Sequence, residues 1–159
     1  MVPTGLGQNG PMADRAIEHT TIAASPDAAR AVLLDFERYP DWAPDLKDVE
    51  VLEVDDAGRG TSVRFRAAGF GKSTSYTLAY DHTDPNVIAW TLTEGDITRK
   101  LDGFYELLEG DEPGSTEVTY QLEADLIVPI PGFIKRRTQG RIMHTALREL
   151  KARAERSGQ

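Results

Sequence analysis

The chain carries three histidines, 26 carboxylates and no cysteine. The missing thiols exclude disulfide scaffolds, thiolate metal sites, iron–sulfur clusters and cysteine nucleophiles. His19, His82 and His144 stand far apart, with neither the HExxH spacing nor the His-rich spacing that a zinc site needs. No Gly-x-Ser-x-Gly elbow and no phosphate-binding P-loop occurs. Gly5-x-Gly7-x-x-Gly10 matches a dinucleotide fingerprint, but no strand precedes it and no strand–helix–strand unit surrounds it, so we reject it. Asp96, Arg99, Lys100 and Asp102 crowd one stretch, yet strand alternation divides them between two faces, and a solvated strand is the expectation. Arg64 and Arg66 alternate with Val63 and Phe65, which places them outside.

The residue types that remain are aromatic. Trp42, Phe65, Tyr76, Tyr80, Trp90, Tyr105 and Tyr120 suit the wall of an apolar cavity. Such rings give large contact area, and Tyr and Trp add a polar tip that can orient a ligand. Trp42 and Trp90 come first, because an indole near an opening is hard to pack elsewhere. Phe133, Ile134, Arg137 and Met143, from the segment that follows the last strand, complete the candidate ligand-binding set. Gly132, just before them, would permit a hinge-like gate.

The elements that must position these residues are legible from periodicity. Residues 16–23 read as a first strand. Ser25-Pro26-Asp27 is a strong helix start, with a capping hydroxyl, a proline at the first helical position and an acid at the positive end. That helix runs to Leu34, with Ala31, Val32 and Leu34 expected near one face. Phe36 to Trp42 reads as a second short helix or turn bounded by Pro40 and Pro44. From Leu46 the period becomes two. Strands are expected at 49–54, 62–67, 76–80, 87–92, 98–108 and 116–128, separated by the turns 55–60, 69–71, 84–86, 94–96 and 109–114. Pro129-Ile-Pro131-Gly132 stops the sheet, and 133–156 reads as one long helix with Met143, Ala146, Leu147, Leu150 and Ala154 as its packing stripe.

Hairpin links imply an antiparallel sheet. The fold class is therefore α+β: a curved, seven-stranded antiparallel sheet wrapped around a long C-terminal helix, with two short helices after strand 1. A curled sheet cannot pack solidly along a whole helix, so a cavity between them is expected, and such cavities are favoured ligand sites. At 159 residues the chain fits one domain, over 14–156, after a flexible leader at 1–13 (native or artificial) and before a tail at 157–159. No apolar run is long enough for a membrane helix and no signal peptide opens the chain, so a cytoplasmic domain is the expectation.

Charge is unevenly placed. From Pro131 onward there are eight basic residues against two acidic ones, a balance of +6 that leaves −14 for the rest of a chain of net charge −8. An acidic body disfavours DNA, whereas the basic helix leaves open a weak contact with a membrane surface or an anionic protein.

Ile22-x-Ala24-Ser25-Pro26, Asp35-Phe36-Glu37-Arg38-Tyr39-Pro40-Asp41-Trp42-x-Pro44 and Leu101-x-Gly103-x-Tyr105-x-Leu107 together resemble the polyketide cyclase/dehydrase family. That family belongs to the START-like, helix-grip (SRPBCC) superfamily, which includes the coenzyme Q-binding proteins. The resemblance covers about residues 14–155 and implies a deep, largely apolar cavity for lipids, isoprenoids or polyketides. It implies no cofactor and no metal. Its members include carriers, ligand sensors, ribosome-associated proteins and aromatase/cyclases, and fold alone does not choose among them. A cyclase needs inward acid–base groups. The sequence offers only Tyr76, Tyr105, Tyr120 and either Arg137 or His144 for that role, so binding or transport of a hydrophobic small molecule is the leading expectation and catalysis the alternative. Monomer and homodimer both remain open.

Overall fold

Alternation along the chain becomes one sheet of seven strands in the order β1-β7-β6-β5-β4-β3-β2, every neighbouring pair antiparallel. The structure is a computed structural model and describes residues 14–69, 72–127 and 129–157. The strands are β1 (Asp14–Ile22), β2 (Leu46–Val54), β3 (Gly60–Gly69), β4 (Lys72–Asp81), β5 (Val87–Gly95), β6 (Thr98–Glu109) and β7 (Thr116–Leu126). Helix α1 (Pro26–Leu34) and a 3-10 segment (Phe36–Asp41) join β1 to β2 across the sheet, and α2 (Gly132–Ser157) follows β7. The expected leader at 1–13, Phe70 and Gly71 of the expected turn, and Val128 of the last expected strand lie outside the described residues.

Local chemistry explains the helix ends. Ser25 Oγ accepts from Ala28 N at 3.1 Å and Pro26 opens the helix, as the sequence predicts. The buried face of α1 is Ala29, Val32 and Leu33, not Ala31, which is exposed. That stripe continues at i+3 and i+4 to Phe36, which is buried beneath the 3-10 segment. Pro40 lies inside that segment and does not bound it. A short segment tolerates the missing N–H, and its end is closed by Trp42 N and Ala43 N, which donate to Tyr39 O at 3.1 and 2.7 Å.

Register gathers the aromatics on one face. Tyr105 stands opposite Tyr120, Trp90 opposite Gly103, Tyr80 opposite Trp90 and Phe65 opposite Tyr76. Gly103 is required there: a Cβ at this position would meet Gln121 O on the neighbouring strand and Trp90 Cζ2 at 2.9 Å. The outer face carries Arg64 with Glu50 and Arg66 with Asp48, as alternation predicts.

The long helix closes the inner face. From Met143 onward it buries Met143, Leu147, Leu150 and Ala154 in a core shared with Ile22, Leu33, Phe36, Leu107 and Val118. Ala23 N donates to Glu155 Oε2 at 2.8 Å, and Lys151 Nζ donates to Thr21 O at 3.0 Å and pairs with Glu155. The first half touches β7 through Lys135 Nζ, which donates to Leu126 O at 3.0 Å, and Gln139 Nε2, which donates to Leu122 O at 3.1 Å, and leaves a space beside these contacts.

Candidate functional site

The space between the first half of α2 and the sheet is a cavity of about 260 Å³, slightly below the roughly 300–1,000 Å³ usual for ligand sites. All five tyrosines and both tryptophans of the chain line it: Tyr39, Tyr76, Tyr80, Tyr105, Tyr120, Trp42 and Trp90. Phe65 joins them from β3, with Leu78, Leu101, Leu122 and Leu126 from the strands. The helix contributes Lys135, Thr138, Gln139, Ile142, Thr145 and Ala146. The rings form a connected wall. Tyr105 and Tyr120 stack with centroids 4.3 Å apart, Phe65 and Tyr76 at 5.4 Å, and Trp90 lies 5.5 Å from Tyr105 and 5.8 Å from Tyr80.

The phenols divide into two kinds. Tyr39 Oη donates to Leu33 O at 2.5 Å and locks the 3-10 segment to α1. Tyr105 and Tyr120 hydrogen-bond each other. Tyr76 and Tyr80 make no hydrogen bond to another side chain or to backbone among the described residues. Hydroxyls removed from water are normally satisfied, so two without a protein partner on a cavity wall are available to a ligand or to water. Burial raises all five above the ordinary phenol value, Tyr120 to about 12, because the low-dielectric wall penalises the phenolate. At neutral pH each is a neutral O–H that can donate and accept.

Few charges reach the wall. Asp125 Oδ2 is 3.5 Å from Arg99 Nε, and Lys135 Nζ donates to Leu126 O at 3.0 Å. Asp45 lines the cavity where it opens to solvent. Thr74 donates to Asp96, whose carboxyl is held below its ordinary range first by that bond and then by Ser75 N. Among the described residues no group of three His, Asp or Glu side chains could hold a metal.

The residues singled out in the sequence separate cleanly. Trp42, Phe65, Tyr76, Tyr80, Trp90, Tyr105 and Tyr120 are on the wall. Phe133, Ile134, Arg137 and Met143 are not. Met143 is in the solid core, and the helix turns Thr138, Ile142 and Thr145 to the cavity instead. Phe133, Ile134 and Arg137 are exposed at the first turns of α2, where the helix projects past its support. His144 is also exposed. His82 is half-buried: Nε2 is 2.7 Å from Gly60 O and the ring stacks on Tyr80 at 6.1 Å. The Asp96–Asp102 cluster is dispersed: Lys100 pairs with Asp102 and Glu123, and Asp102 Oδ1 accepts from Leu92 N at 2.9 Å. Sequence reasoning missed Tyr39, whose signal was its place in Tyr39-Pro40-Asp41-Trp42, and the helix positions Lys135, Thr138, Gln139 and Ile142, whose i, i+3, i+4, i+7 spacing was readable.

With that geometry in place, comparisons with other proteins are informative. Residues 15–155 match the family described as polyketide cyclase/dehydrase and lipid transport. A START superfamily protein from Mycobacterium smegmatis superposes with a TM-score of 0.82 at 25% identity, covering 89% of this chain and 97% of that one. The Zhui aromatase/cyclase from Streptomyces sp. R1128 gives 0.77 at 21% identity, covering 91% and 94%. A protein from Thermus thermophilus gives 0.73 at 21%, covering 92% and 100%. The last two likenesses concern the fold. A search of curated proteins gives no match.

Proposed function

The chain belongs to the polyketide cyclase/dehydrase and lipid transport family, and on that premise we propose that it binds or carries an oxygen-bearing hydrophobic small molecule without transforming it. Lipids, isoprenoids, quinones and polyketide-like compounds are the chemical classes that combine an apolar body with a carbonyl or hydroxyl. Apolar burial would supply most of the affinity, at roughly 25 cal/mol per Å² removed from water. Tyr76 and Tyr80 would supply orientation, since both line the cavity and their hydroxyls have no protein partner among the described residues. Those two free phenols in a largely apolar wall are the observation that carries the reading.

Catalysis by a cyclase would ask more of the same wall. Enolising a carbonyl requires a base that takes a carbon-bound proton, then an acid that assists loss of water. The five inward phenols are held protonated, which suits donation and opposes proton abstraction at neutral pH. Arg137 and His144 lie outside the cavity.

Native mass spectrometry of freshly purified protein, followed by solvent extraction, tests the proposal. A retained oxygenated lipid, quinone or polyketide, released unchanged and rebound with quenching of Trp fluorescence, is the expected result. Quenching by no member of these classes would overturn it. Conversion of an added poly-ketone to a cyclised product would replace it with the catalytic reading.

A further inference from the structure

We propose that the cavity mouth is itself a docking face for an anionic lipid bilayer. The inference goes beyond ligand binding and does not depend on which ligand the cavity takes. Four large apolar side chains are exposed at the start of α2 and the end of β7: Ile127 at 53%, Phe133 at 56%, Ile134 at 37% and Ile142 at 41%. They are not scattered. Lys135 Nζ, in the first turn of α2, holds Leu126 O at 3.0 Å and so ties the helix start to the strand end beside Ile127. Ile142 lines the cavity, and Ile134 lies one turn ahead of Thr138, which also lines it. The exposed apolar rim is therefore the edge of the cavity wall continued outward.

Charge identifies the occupant. Arg137 and Arg141 follow Phe133 at i+4 and i+8 on the exposed face, and neither pairs with a carboxylate among the described residues. No acidic residue occurs from Gly132 to Arg148. Residues 132–147, the mouth end of α2, carry four basic side chains and no acid, +4, while the rest of the chain carries −8 − 4 = −12, so a negative surface attracts this end of the helix and repels the acidic body. Apolar side chains framed by arginines on one helix face match the interfacial pattern for anionic headgroups. A ligand leaving the cavity here would pass from apolar wall to acyl chains with little exposure to water.

Vesicle flotation of the full chain tests this. The probes are phosphatidylcholine vesicles and phosphatidylcholine vesicles with about 30% phosphatidylserine, at about 0.02 and 0.5 M salt, where the screening length differs several-fold. Binding is expected only with phosphatidylserine, and is expected to fall at high salt. Arg137→Ser with Arg141→Ser should weaken it about 25-fold, roughly fivefold per arginine, and Phe133→Ser about tenfold. Arg64→Ser with Arg66→Ser, on the outer sheet face, should leave it unchanged. All these residues are exposed, so thermal melts should hold. Absence of binding at low salt, equal binding to both vesicles, or indifference to the mouth substitutions would overturn the proposal. Probe binding in vesicle-free solution is read in parallel, so that loss of docking and loss of the cavity reading are told apart.

Discussion

The two halves of α2 meet the same sheet with opposite results. The second half buries Leu147, Leu150 and Ala154 against α1 and the sheet, and is fixed by Lys151 and Glu155. The first half turns Thr138, Gln139 and Ile142 towards a space that they do not fill. The difference comes from what lies underneath. Helix α1 packs against the second half, whereas the 3-10 segment packs on β2 and turns Tyr39 to the cavity. Tight packing is thus concentrated at one end of the helix and cavity volume at the other.

The steepest test of this division is alkaline pH. The open half contains every tyrosine, and burial holds each above the ordinary value of 10. Above pH 10 the unfolded chain loses phenolic protons that the folded chain retains, so stability must fall as pH rises. The loss is about 1.4 kcal/mol per pH unit for each such phenol, and Tyr120 stops contributing beyond about 12. Absorbance at 295 nm should stay flat past pH 10 and then rise together with loss of the fold. Five phenols titrating near pH 10 in an intact fold would show the open half to be wet, and the contrast would collapse.

Cavity substitutions come next. Leu150→Ala, in the filled half, should cost about 2–5 kcal/mol, because a void replaces a fully enclosed side chain. Ile142→Ala, in the open half, should cost less than about 1 kcal/mol, since it enlarges a space already present. Urea midpoints with unchanged m-values check both. Equal costs would mean that the two halves are packed alike. Gly103→Val is the intermediate case. It drives a side chain into Trp90 and the β7 backbone, with an expected loss of about 1–3 kcal/mol. It should also displace the indole from the wall, read as lost probe affinity and a shifted Trp emission.

The two halves also differ in how far their sequence could be read. Strands and their inner face were legible, because a period of two leaves only two phases and Tyr76, Trp90, Tyr105 and Tyr120 choose one of them. The amphipathic stripe of α2 was legible in its second half, where Leu147 and Leu150 have a partner layer. Its first half was not. Met143 and Ile142 are neighbours of similar character, and the turn of about 100° between successive helix positions sends one to the core and the other to the cavity. Phe133 and Ile134 have core-like side chains, yet no described layer faces them. Thr74 and Thr98 are buried at the cavity, and nothing in their type announces it.

The smallest expected effects separate phenols that hold the fold from phenols left for a ligand. Tyr39→Phe removes the donor to Leu33 O and leaves a buried carbonyl unpaired, which should cost about 1–3 kcal/mol. Tyr80→Phe removes a hydroxyl without a protein partner among the described residues, so stability should change by less than about 0.5 kcal/mol. Ligand affinity should show the reverse order. Tyr80→Phe, and Tyr76→Phe beside it, should weaken an oxygenated ligand by about three- to tenfold, the worth of one hydrogen bond of about 0.5–1.5 kcal/mol. Neither should affect a pure hydrocarbon of the same length, which has nothing to offer the hydroxyl. Denaturation midpoints and Trp-quenching titrations on the same three variants decide it. If Tyr80→Phe weakened both ligands equally, the phenol would act through wall shape alone, and the oxygen in the proposed ligand would lose its support.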